Sequence, residues 1–206
     1  MSFPSKPYSS IAGFYESYAG QITQALASVP KSALAAAEIL LGEALDADAQ
    51  LYSCGNGGSA AIANHLVCDH SKGVQSDTGL RPRVHSLSST VELITAIAND
   101  LDYAEVFVYQ LRTFARPGDV LFAISSSGDS ENVVRAIQWA RDNGVRTIAL
   151  TGFSGGRAAK LAEVNLHVAA DNYGVVEDVH QSLMHVLAQF IRMARMPRDL
   201  VAGRRF

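Results

Sequence analysis

The stretch "GDVLFAISSSGDS", Gly118 to Ser130, runs five apolar residues without a break and then delivers four serines within six positions. A short apolar run bounded by Pro117 on one side and by polar residues on the other predicts a strand buried on both faces. Apolar residues at helical spacing follow from Ser130 to Asn143 and stop at Gly144, so the serines lie at a strand-to-helix junction.

The same order repeats on either side. Upstream, "AQLYSC" ends at Cys54 as a strand, "GNGGSA" forms the turn, and Ser59 to His70 has helical periodicity. "PRVHSL", Pro82 to Leu87, predicts a second strand, with helices within Thr90 to Ala98 and from Tyr103 to Phe114. Downstream come the strands "VRTIALT" and, shorter, "VNLHVAA", then a long helix from Val175 to Met196 ended by Pro197. Two helices, Ile11 to Leu26 and Ser32 to Leu45, precede the first strand and are divided by Pro30. Strands alternating with helices predict an α/β fold, a parallel sheet covered on both faces. No fixed-period repeat or low-complexity linker interrupts the chain, which reads as one domain: helices over 1–48, an α/β core with a long last helix over 49–196, and a basic tail over 197–206.

Composition narrows the function classes. With 206 residues, 48% hydrophobic and 18% charged, the chain can bury a sizeable core. A net charge of −3 gives no general attraction to nucleic acid. No apolar run reaches the length of a membrane span, and the N-terminus has no signal-peptide pattern, which predicts a cytoplasmic protein with neither nucleic acid nor membrane as partner. The arginines at 192, 195, 198, 204 and 205 read as a solvated C-terminal tail. Cys54 and Cys68 form no CxxC pair and read as small buried hydrophobes.

Ligands of open parallel sheets bind beyond the carboxyl ends of strands. The glycine turn at Gly55 to Ala60 lets backbone amides approach a ligand at a helix start. Gly55, Gly57 and Ala60 also fit a relaxed dinucleotide fingerprint. That reading needs an acid ending the next strand, where Ser88, Ser89 and Thr90 stand instead. No GxxxxGK[ST] loop is present. At the second end, Ser127 or Ser130 could cap the following helix. Four serines exceed what one cap needs, so a phosphate site is expected, with Asp129 turned away from the anion. His65 and Asp69, directly behind the glycine turn, differ by only about 40° around a helix and share a face; Glu177 and His185 lie within about 80° of each other.

Together "CGNGGSA", "AIAND", "RPGDVLFAISSSGDSENV", "IALTGFSGG" and "EDVHQSLMH" resemble, in this order, the SIS (sugar isomerase) domain family, nearest its phosphoheptose isomerase branch acting on sedoheptulose 7-phosphate. The likeness runs from about Ala49 to Arg195. It implies a flavodoxin-like three-layer sandwich with a five-stranded parallel sheet, assembled as a homotetramer with sites between subunits. It implies a phosphosugar aldose–ketose isomerase whose Ser125, Ser126, Ser127 and Ser130 hold the phosphate. Asn56, Gly57 and Ser59 of the first loop, Asn99 and Asp100 of "AIAND", and Glu177 would contact substrate. The family's His and Glu four residues apart are His65 and Asp69 here. Its Gln and His eight apart are Glu177 and His185. By the resemblance these four form a metal site, for zinc or another divalent ion, with Asp69 and His185 as the proton-transfer pair. The chain departs from the family pattern at Asp69 and Glu177, and at Thr90, where the family has an aspartate. The alternative readings are a non-catalytic SIS module that senses a sugar phosphate or docks a partner such as a replication initiator, and an isomerase of another ketose phosphate.

Overall fold

The architecture is that of a computed structural model, which describes residues 3–206. Helices α1 (Ile11–Ala27) and α2 (Lys31–Asp46) come first. The core follows as β1 (Gln50–Gly55), α3 (Gly58–Cys68), β2 (Arg83–Ser86), α4 (Val91–Asp100) and α5 (Val108–Phe114). Next come β3 (Val120–Ser125), α6 (Glu131–Asp142), β4 (Arg146–Thr151), α7 (Ala158–Leu161), β5 (Val164–His167) and α8 (Tyr173–Arg195). All pairings are parallel, and the strands lie in the order β2-β1-β3-β4-β5.

Strand residues alternate between two apolar layers, as a two-sided sheet requires. Leu51, Val120, Phe122, Ile124, Ile148 and Leu150 face a layer completed by α1, α2, α3 and α8. Tyr52, Cys54, Leu121, Ala123 and Ala149 face the other, with α5 and α6. The order makes the chain reverse direction between β1 and β3, so the helices leaving these two strands cover opposite faces. A crevice opens between their carboxyl ends, where open α/β sheets take their ligands. The glycine turn and the serine loop are the two walls of that crevice.

Four local expectations are corrected. The helix from Ser59 continues past His70 by widening into a π turn over Asp69–Val74, which keeps both His70 and Val74 buried. Tyr103 to Phe114 is not one helix. Asp102 caps a 3₁₀ turn at Tyr103–Glu105, and α5 starts only after Val106 and Phe107 have entered the core. The basic tail is tethered rather than simply solvated. The Arg192 guanidinium is buried, donates to the carbonyl oxygens of Ser76 and Arg205 and to Asp77, and lies under the Phe206 ring. Cys54 is buried as expected, but Cys68 is exposed.

Candidate active site

The serine loop is built by its neighbours. Gly128 takes φ +69°, a left-handed conformation that glycine adopts freely, and a Cβ there would overlap the carbonyl of Gly155. The loop after β4 therefore presses directly on the serine loop. The Gly128 amide donates to Ser125 Oγ at 3.1 Å. Arg157 grips the outside, pairing with Asp129 and Glu131 and donating to the Asp129 carbonyl at 3.0 Å. The hydrogen bond from Arg157 holds the Asp129 carboxyl below its usual pKa, so the acid stays ionised and turned to its partner. Ser130 stands at the N-cap of α6, yet its hydroxyl makes no capping bond. Ser126 Oγ is buried with no hydrogen-bond partner among the described residues. These two hydroxyls are not spent on local structure.

They line a cavity of about 130 Å³ with Ser125, Ser127, Asn56, Ser59, Tyr173 and Glu177. Gly57 turns the chain at φ +54° into α3, leaving the first-turn amides without a side-chain cap. Asn56 is fixed by an amide pair: its Nδ2 donates to Asn132 Oδ1 and Asn132 Nδ2 donates to Asn56 Oδ1, both at 2.9 Å. Tyr103 adds its hydroxyl to Asn56 Oδ1 at 2.8 Å.

A second group of side chains lies farther along α8. His65 Nε2 is 3.2 Å from Asp69 Oδ1, and His185 Nε2 is 3.7 Å from Asp69 Oδ2. One nitrogen or oxygen from each of the three lies within 4.8 Å of the others, close enough for one cation. Asp69 Oδ2 is buried without a hydrogen bond among the described residues, while the two imidazoles are nearly half exposed. A buried carboxylate oxygen facing two imidazoles suits a divalent ion of zinc type. Gln181, one helical turn before His185, places Nε2 at 2.9 Å from His185 Nε2.

The expected quartet is thus divided. Glu177 is not in the group around Asp69; its carboxylate lies against Gly58, at the start of α3. Burial first, and Asp178 second, raise its pKa. Asn99 and Asp100 sit exposed at the end of α4, hydrogen-bonded to each other, outside the serine-lined cavity. Thr90 starts α4 without capping it. His70 and His180 are fully buried structural residues. The sequence reading missed Asn132, Tyr103, Tyr173, Gln181 and Arg157. Only Asn132 left a signal, a polar residue on the apolar face of α6 beside Val133 and Ala136.

A parallel sheet with a hydroxyl-lined pocket at its switch point, and an imidazole–carboxylate group farther along α8, defines an open α/β protein of the kind that takes ligands beyond its strand ends. The profile of the SIS domain family matches residues 14–152, and the chain belongs to that family. It is 39% identical over 150 residues to the phosphoheptose isomerase of Mycobacterium bovis (strain BCG / Pasteur 1173P2), covering 72% of this chain and 75% of that protein. It is 38% identical over 173 residues to the phosphoheptose isomerase of Aromatoleum aromaticum, covering 82% and 85%. The structure of the phosphoheptose isomerase from Neisseria gonorrhoeae superposes with a TM-score of 0.78 at 31% identity, over 88% of this chain and 96% of that one.

Proposed function

We propose that the protein is a phosphosugar aldose–ketose isomerase that converts sedoheptulose 7-phosphate to D-glycero-D-manno-heptose 7-phosphate. One observation carries the reading: α8 runs from a pocket holding two uncommitted serine hydroxyls, Ser126 and Ser130, to a buried carboxylate between two imidazoles. The relatives at 38–39% identity, matched over 75–85% of their own length, are phosphoheptose isomerases. A module that only senses a sugar phosphate has no use for the second group.

The chemistry moves one proton between adjacent carbons through an enediol. Ser125, Ser126, Ser127 and Ser130, with the first amides of α3 and α6, take the phosphate. Asn56, Gly57 and Ser59 hold the sugar hydroxyls. Asp69 is the base that removes the proton from the carbon bearing the hydroxyl and returns it to its neighbour, and His185 moves the proton between the two oxygens. The Oδ2 atom of Asp69, unbonded and shielded from solvent, is the oxygen free to take the proton. His65, Asp69 and His185 would hold a divalent ion, zinc or a similar cation, which when bound polarises the sugar oxygens.

The assembly we propose is a homotetramer. Exposed apolar side chains on α1, α2 and α8 support it, among them Ile11, Tyr15, Ile39, Val186 and Phe190. No single helix among the described residues is long and apolar enough to cross a membrane. A phosphorylated substrate, too charged to leave the compartment that makes it, suits a cytoplasmic enzyme.

Incubation with sedoheptulose 7-phosphate, with and without a chelator, followed by product analysis, tests the reading. Formation of the aldose heptose phosphate is the expected result. Folded protein that yields no aldose under either condition would overturn it.

A further inference from the structure

The serine-lined cavity has no lysine or arginine in its wall, so an anion bound there depends on neutral O–H and N–H donors. One donor of that wall is uncommitted. Tyr173, in the first turn of α8, lines the cavity and is 60% exposed, so its ring is not there to fill the core. Tyr18 and Tyr103 commit their hydroxyls to Asp178 and Asn56, whereas the Tyr173 hydroxyl has no hydrogen-bond partner among the described residues.

A second residue holds that ring in place. Phe153, in the loop after β4, has φ +49°, a left-handed conformation that a bulky side chain seldom adopts. Such a conformation persists only where its surroundings fix it. Here they do: the Gly152 amide donates to the Ser126 carbonyl and the Phe153 amide to the Ala170 carbonyl, both at 2.8 Å. A Cβ at Gly152 would run into the Val176 side chain, so the loop lies clamped between the serine loop and α8. The ring that leaves this clamped backbone meets Tyr173, centroid to centroid at 4.8 Å with the planes tilted by 51°. That separation is within the range of attractive aromatic pairs. A strained backbone thus directs one aromatic ring onto another, and the second ring stands at the serine-lined pocket.

We propose that Tyr173 is a further substrate-binding residue, which donates its phenolic hydrogen to the sugar phosphate, and that Phe153 is the positioning residue that holds it over the pocket. The hydroxyl adds a donor to those of Ser126 and Ser130, and the ring beside it covers the bound anion from solvent. The phosphate does not change during isomerisation. A contact to it therefore holds substrate and transition state equally and acts on KM rather than on kcat. The inference rests on the phosphate-binding part of the proposed reaction and on no proton transfer.

Binding can be read without isomerisation, by ³¹P NMR titration with inorganic phosphate. Tyr173→Phe should weaken that binding about 10-fold, the low end for a hydrogen bond to a charged group. In steady-state kinetics with sedoheptulose 7-phosphate, the same variant should raise KM by a similar factor with kcat nearly unchanged. Phe153→Ala should move affinity and KM in the same direction, and Phe153→Tyr, which keeps the ring, should leave them near their wild-type values. Phe153→Ala added to Tyr173→Phe should have no further effect, because the two act through one contact. Phosphate affinity and KM unchanged in Tyr173→Phe would overturn the contact. A fall in kcat as large as the change in KM, or a change in oligomer size, would overturn it too, by giving Tyr173 a structural role. Additive effects of the two substitutions would overturn the part given to Phe153. Wild-type protein that binds phosphate through Tyr173 and yet converts no sedoheptulose 7-phosphate would overturn the proposed substrate and support this contact.

Discussion

The carboxamides of Asn56 and Asn132 face each other head to tail, each nitrogen 2.9 Å from the other's oxygen. One side chain belongs to the glycine turn after β1 and the other to the first turn of α6, so this pair joins the two walls of the crevice. Asn132 is almost fully buried, and although its oxygen also accepts from the Val133 amide, its nitrogen left without Asn56 would be an unpaired donor.

Asn132→Leu should therefore weaken both fold and site. Losing the partner of a half-buried amide costs roughly 1–3 kcal/mol, and freeing Asn56 should raise KM for the sugar phosphate by about 10-fold on the same scale. Urea unfolding and steady-state kinetics measure the two effects. Asn132→Asp is the sharper variant, because a carboxylate can accept from Asn56 but cannot donate back. A KM unchanged in both variants would remove Asn56 from substrate binding.

At Asp69, removing the base while keeping the shape should lower kcat by about 10²–10⁴-fold, the usual range for one acid–base group. Asp69→Asn should leave thermal unfolding and oligomer size unchanged. Asp69→Glu restores the methylene that the family pattern has and this chain lacks. It should keep more activity than the asparagine variant. Turnover retained in Asp69→Asn would reassign the base.

Gly58 and Glu177 provide a coupling test. A methyl group at Gly58 must displace the Glu177 carboxylate, the movable end of a flexible side chain, so Gly58→Ala alone should cost no more than about 1 kcal/mol of stability. With Glu177→Ala already present, Gly58→Ala should cost little. The difference is the interaction term of a double-mutant cycle. Additive costs would mean that Glu177 does not rest on Gly58.

Much of the fold was legible because strand and helix periods differ and because Pro117, Gly144 and Pro197 punctuate them. The serines, His65, Asp69 and His185 were legible through their positions behind strands or on helix faces. What local pattern could not supply was contact between distant segments. Tyr103 reaches Asn56 across 47 residues and Arg157 reaches Asp129 across 28, and neither leaves a mark in local spacing. Glu177 stands apart from the Asp69 group for a related reason. Sharing a helix face with His185 says nothing about separation along the axis, and two turns carry the carboxylate out of the Asp69 group and onto Gly58. The π turn at Asp69 was equally hidden, because its cause is the burial of His70 and Val74.

The donor set of His65, Asp69 and His185 predicts a metal stoichiometry. Calorimetric titration with Zn²⁺ should show one site per chain in wild-type protein, and His65→Ala or His185→Ala should weaken it strongly. Glu177→Gln should leave the affinity nearly unchanged, since that residue lies outside the group. A large loss in Glu177→Gln would restore it to the ligand set.

His180 makes the fold acid-sensitive. It is fully buried on α8, neither ring nitrogen has a hydrogen-bond partner of good geometry among the described residues, and burial pushes its pKa down to about 4. In the unfolded chain an ordinary histidine titrates near 6.5, so between about pH 6.5 and 4 the unfolded state binds the extra proton. The contribution is therefore fully present above the unfolded pKa and is lost as pH falls through this window, by up to about 3 kcal/mol when complete. Burial lowers the pKa of His70 as well, so its contribution has the same sign. Unfolding free energy measured in urea should fall between pH 7 and 5. His180→Met, which fills similar space without titrating, should flatten that fall. An unchanged slope would assign the acid sensitivity to other groups.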